Sequence, residues 1–136
     1  MTDVQKVYDA FQIKIPDVDF TNKECQVYMF LQAAIAKVQL ATSKDLSMEY
    51  DDVIHEGYFV NDIEYKYIEL ISMYMVAEYY QRRYSHLMGQ KQFIGTKDFN
   101  KLPDKAKELS SATDAMKYWD SKIYEFRQEF YNYEDI

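Results

Sequence analysis

At 136 residues the chain has the length of one domain able to bury a real core. Its 3 glycines and 2 prolines fall far below the usual shares of about 7 % and 5 %, which argues against a hairpin-rich or many-stranded sheet. A formal charge of −7 with a pI near 4.8 argues against gripping nucleic acid through clustered Lys and Arg.

A short amphipathic helix is predicted over Asp3–Phe11, with Val4, Tyr8 and Phe11 on one face. Ile15-Pro16-Asp17 ends it, because proline restricts the residue before it and cannot continue a helix. Thr21-Asn22-Lys23-Glu24 has the S/T-x-x-E form of a capping box. The helix it opens is expected to run to about Ala41, with Val27, Phe30, Leu31, Ala34, Ile35, Val38 and Leu40 as its apolar residues. Cys25, the only cysteine, falls on this helix and is expected as a small buried side chain; alone it allows no intramolecular disulfide and no multi-cysteine zinc site.

Residues 42–61 read as an irregular acidic loop or a short hairpin. Asp45, Glu49, Asp51, Asp52 and Glu56 crowd there, and Tyr58-Phe59-Val60 is the strand-like patch. Helical periodicity returns from Asp62 to about Met88. Ile63, Tyr67, Leu70, Ile71, Tyr74, Met75, Ala77 and Tyr80 cover so much of its circumference that this is expected to be the central, most buried helix. Gly89 is placed to stop it, and residues 89–103 form a connector carrying Phe93, Ile94 and Phe99. Pro103 or Asp104 then opens a C-terminal helix over residues 104–133.

That last helix carries the strongest pattern in the chain. Leu109, Ala112, Met116, Trp119, Ile123, Phe126, Phe130 and Tyr133 alternate at spacings of three and four, with charged residues between them. Trp119 falls on the packed side. Such a helix is marginal alone in water and needs an apolar surface to lie on. At ~1.5 Å per residue it would span about 45 Å, against a diameter of roughly 37 Å for a compact domain of this length. Either its aromatic end overhangs the body or the whole molecule is an elongated bundle. The fold expected is therefore all-α: one domain, residues 1–136, an elongated bundle of three to four helices with a long C-terminal helix.

Catalytic and ligand-binding patterns fail on spacing. Gly89-(x5)-Gly95-Thr96-Lys97 has one residue too many between its glycines and the wrong order of Thr and Lys for a phosphate loop. His55 and His86, the two histidines, match neither Glu-x-x-His nor HExxH. The acids at 49–56 lack the glycine and terminal glutamate of a calcium loop. No catalytic, cofactor-binding or metal residue is expected, and the chain is not read as an enzyme. The N-terminal stretch lacks a basic region followed by an apolar core, and no apolar run approaches the ~20 residues of a spanning helix, so a soluble protein with no membrane partner is expected.

From Gln92-Phe93-Ile94-Gly95-Thr96-Lys97-Asp98-Phe99 onward, a family resemblance emerges. This stretch follows a long aromatic-rich helix and precedes a charged helix ending Arg127-Gln128-Glu129-Phe130-Tyr131-Asn132-Tyr133. The order resembles the small head–tail connector (adaptor, neck) proteins of tailed bacteriophages, over roughly residues 62–133. The acidic stretch at 42–61 has no counterpart in it. The resemblance implies an α-helical subunit that forms a homo-oligomeric ring beneath the portal protein, with a downstream neck or tail protein on its other side. DNA would pass through the ring without sequence-specific binding. The subunit would reside in the host cytoplasm before assembly and in the neck of the virion afterwards. The interaction residues it implies are Phe126, Phe130, Tyr131 and Tyr133, since the family's C-terminal segment usually docks the portal. The rival reading is a small acidic helical dimer, a regulatory or anti-host interaction protein whose terminal stripe forms a self-complementary seam.

Overall fold

A computed structural model describes residues 1–134, with side chains through Gln128. Its elements in chain order are β1 (Thr2–Asp3), α1 (Gln5–Lys14), α2 (Glu24–Thr42), β2 (Met48–Asp51), β3 (Glu56–Phe59), α3 (Tyr65–Ile94), α4 (Thr96–Asn100) and α5 (Pro103–Glu134). The fold is largely all-α, a helical bundle with one small sheet. The bundle is elongated because its two longest helices, of 30 and 32 residues, run antiparallel along each other. Arg83 of α3 meets Glu108 of α5 at 3.7 Å, and Arg127 of α5 donates to the Tyr74 hydroxyl of α3 at 3.4 Å. That register carries the end of α5 back to the level of the start of α3, so the elongated bundle, and not an overhang, accommodates the long helix.

The first turns of α3 are buried almost all round. Tyr67, Ile68, Leu70, Ile71, Met73, Met75, Val76 and Ala77 all lie in the core, as its dense apolar sequence requires. Ser72, also buried, satisfies its hydroxyl by donating to the Glu69 carbonyl at 2.7 Å. α1 and α2 close over this half, and Phe11, Phe20, Phe30 and Tyr79 meet there ring to ring at 5.1–6.5 Å. Beyond Tyr84 the long helices continue with α4 between them. Leu87, Phe99 and Ala112 are buried outside the main core, Leu87 and Phe99 toward this tip.

Several expectations are corrected. The capping box does not form: the Thr21 hydroxyl donates to Asp19 at 2.6 Å, Asn22 turns to φ 62°, and α2 begins one residue past Lys23 without a side-chain cap. The local turn at Asp19 outcompetes the cap for the same hydroxyl. Leu40 and Cys25 are exposed, Leu40 to 87 %, because α2 buries only the face that meets α3. Gly89 does not stop α3. The chain stays helical through it to Ile94, and Gly95, at φ 88°, makes the break. Consequently residues 89–103 are a helix end plus α4, not an open connector. Of the two readings of 42–61 the hairpin is the one that forms, as β2–β3, and Asp3, expected to open the first helix, instead joins Thr2 in a third strand.

The sheet runs β1-β3-β2, antiparallel throughout, with Thr2 and Met48 flanking Phe59. Side chains alternate across it, so Met48, Tyr50 and Phe59 face the body while Glu49, Asp51 and Glu56 face water. Gly57 lies opposite Tyr50, where an added Cβ would come within 2.6 Å of both the Glu49 carbonyl oxygen and the Tyr50 ring. No larger residue fits there without displacement. The hairpin is held on the helices by Tyr28, stacked on Tyr50 at 4.0 Å, and by the Tyr8 hydroxyl, which donates to that of Tyr50 at 3.2 Å.

Candidate functional site

The C-terminal stripe lies along α3, but unevenly. Ala112 and Ile123 are buried, whereas Leu109, Met116, Trp119 and Phe126 are half-buried, because α5 has α3 as its main partner. Of the four implied interaction residues, Phe126 packs against the main core and is part of the fold's own seam. The side chains of Phe130, Tyr131 and Tyr133 lie outside the described residues.

Two exposed surfaces stand out that the sequence reading did not assign. The first is the tip, where Phe93, Ile94 and Leu102 line an open cleft of about 580 Å³ between the end of α3 and the start of α5. Phe93 is 91 % exposed, an unusual state for a phenylalanine at the end of a 30-residue helix. Residues 85–107 also hold five lysines against two aspartates, a local excess of positive charge on a chain of net −7. The signal was available: an aromatic–aliphatic pair directly before a glycine, followed by lysines at 97, 101, 105 and 107.

The second surface is the hairpin. Residues 45–62 contain six carboxylates and no Lys or Arg. A cleft of about 430 Å³ here is lined by Asp3, Glu49, Asp51, Ile54 and Glu56, among others. Val53 and Ile54 are exposed at the turn, Val53 to 86 %.

Several of these carboxylates hold the backbone. Asp51 accepts the Val53 amide at 2.8 Å, and the chain then passes through His55 at φ 56°. Asp45 accepts the Ser47 hydroxyl and, at 3.0 Å, the Ser47 amide, which hold its carboxyl below the usual range. Glu49 accepts from the Tyr58 hydroxyl, and that bond pushes the phenol upward.

No group of three or more His, Cys, Asp or Glu poised to hold a metal occurs among the described residues. The two histidines are far apart in the fold, His55 at the hairpin turn and His86 near the tip. No helix among the described residues is long and apolar enough to cross a membrane. What the geometry offers is surface for association: one basic and apolar, one acidic and apolar.

Comparison with protein-family models, with curated proteins and with solved structures finds no match for the chain.

Proposed function

We propose that the chain is a structural subunit of a tailed-bacteriophage neck, a head–tail connector that assembles as a ring between the portal and a downstream neck or tail protein. The observation that carries this reading is the sequence order over 62–133: a long aromatic-rich helix, the Gln92–Phe99 segment and a long charged helix. In the fold this stretch is the long antiparallel α3–α5 pair with α4 at its turn. The net charge of −7 supports a channel through which DNA slides without sticking, since no counterion is released by an acidic wall. The reading assigns no catalytic, cofactor or metal role and no membrane. It places the subunit in the host cytoplasm before assembly and in the virion neck after it.

The test uses the full chain and the portal protein encoded by the same genome. Light scattering and electron microscopy of the purified chain, alone and mixed with portal assemblies, are expected to reveal closed rings and a portal–connector complex. A chain that stays monomeric or dimeric and ignores the portal would overturn the reading in favour of the free-standing acidic dimer.

A further inference from the structure

We propose that the tip of the α3–α5 pair of one copy docks on the β2–β3 hairpin of a second copy. This contact names the surfaces through which copies would join, so it rests on the ring reading for its closure into a ring but not for its existence.

Three observations carry it. The tip exposes Phe93, Ile94 and Leu102 in one cleft, an apolar patch left open to solvent among the described residues. Lys105 lines the cleft, and Lys97, Lys101 and Lys107 are exposed on the same stretch of α4 and α5; Asp98 and Glu108 stand 4.0 and 3.9 Å from Lys101 and Lys105, and the lysines still outnumber the acids there. The hairpin of the same chain presents the opposite charge, with Asp51, Asp52 and Glu56 exposed beside Val53 and Ile54. Each patch therefore joins exposed apolar residues to a net charge opposite to the other's, as a specific interface requires. Both are exposed in the single chain, so neither is covered by the other within one copy.

Charge sign and apolar content together select the occupant. A phosphate backbone would suit the lysines, but it gives nothing for Phe93, Ile94 and Leu102 to bury against. The hairpin supplies both. Because the two surfaces differ, the contact is heterologous: every copy uses its tip on one neighbour and its hairpin on the other. Such contacts close into a ring when the rotation between copies divides a full turn, and otherwise extend into open chains.

The experiment is sedimentation velocity on the full chain at low and high salt, with charge-reversed variants checked for native helicity. Lys97→Glu with Lys101→Glu changes the tip, and Asp52→Lys with Glu56→Lys changes the hairpin; these four side chains are exposed. Wild type is expected to self-associate and to weaken as salt screens the opposite charges. Each reversed variant alone, and Phe93→Ser, is expected to lose about tenfold or more in self-association. An equimolar mixture of the two reversed variants restores it, since the acidic tip of one meets the basic hairpin of the other. Self-association unchanged in all the variants overturns the proposal, even if rings form and the ring reading stands. Open chains that the tip and hairpin variants abolish support it while overturning the ring. A wild type that does not self-associate overturns it, and so does loss of duplex-DNA binding as the sole defect of the tip variant, which would mark the tip as a nucleic-acid surface.

Discussion

Trp119 is covered on one side only. Its indole packs against the main core and meets Tyr118 edge-on at 5.4 Å, yet it remains half-buried because α3 is the main partner of α5 among the described residues. Trp119→Ala is therefore expected to cost about 1–3 kcal/mol, less than the ~3–5 kcal/mol of an enclosed tryptophan. Ile123→Ala, at a buried position one helical turn on, is expected to cost about 2–4 kcal/mol. Urea unfolding of both variants checks the order; a loss below about 0.5 kcal/mol for Trp119→Ala would mean the indole is solvated.

Tyr8 makes a pH-dependent contribution of a different kind. Burial, and then its hydrogen bond to Tyr50, push the phenol well above its ordinary value of 10.0. The fold favours the neutral form, so the contribution is complete below pH 10.0 and is lost as the pH climbs toward the raised folded value. Alkaline unfolding followed by circular dichroism should be steeper for wild type than for Tyr8→Phe, which has no proton to lose. Equal slopes would place Tyr8 in water.

At the scale of elements, the legible parts of the fold were those written as long periodic runs. The buried first half of α3 and the stripe of α5 stood in the sequence because burial on a helix repeats every three to four residues. The misreadings at Thr21 and Gly89 were local choices that tertiary context reversed. A cap was lost to a two-residue turn, and a glycine was tolerated in mid-helix where nothing approaches it. Gly57 announced nothing in the sequence, since its requirement is the space taken by Tyr50 across the strand pair. The candidate surfaces were half legible. The acids at 45–56 and the lysines at 97–107 were countable, but which residues share a surface depended on the hairpin and on α4. β2, at the edge of the sheet, carries Glu49 and Asp51 outward, which guards it against adding a further strand. Gly89 gives the prediction at this scale. It lies inside α3, exposed, with no atom within 4 Å of a would-be Cβ, so Gly89→Ala relieves only the entropy cost of glycine in a helix. Thermal and urea unfolding are expected to show a gain of about 0.5–1 kcal/mol; a loss would mean that the helix needs glycine there for a bend.

For the whole molecule, the tip, the hairpin and the end of α5 lie on different elements and serve separable contacts in the reading proposed above. The tip and hairpin join copies, while the C-terminal segment reaches the portal. Phe126 belongs to the intramolecular seam, so a deletion that begins there would remove part of the core and confuse the two roles. Truncation after Gln128 spares Ile123 and Phe126 while removing Phe130, Tyr131 and Tyr133. The shortened chain is expected to keep its helical spectrum, with a stability change within about 1 kcal/mol. It is also expected to self-associate as wild type does, because tip and hairpin are intact, and to lose capture by portal assemblies. Repeated around a ring, even weak single contacts sum steeply, so removing one set of aromatic anchors should abolish capture and not merely weaken it. Portal capture that survives truncation would move the portal contact off the end of α5. Loss of self-association with the fold intact would instead put Phe130, Tyr131 and Tyr133 in the contact between copies.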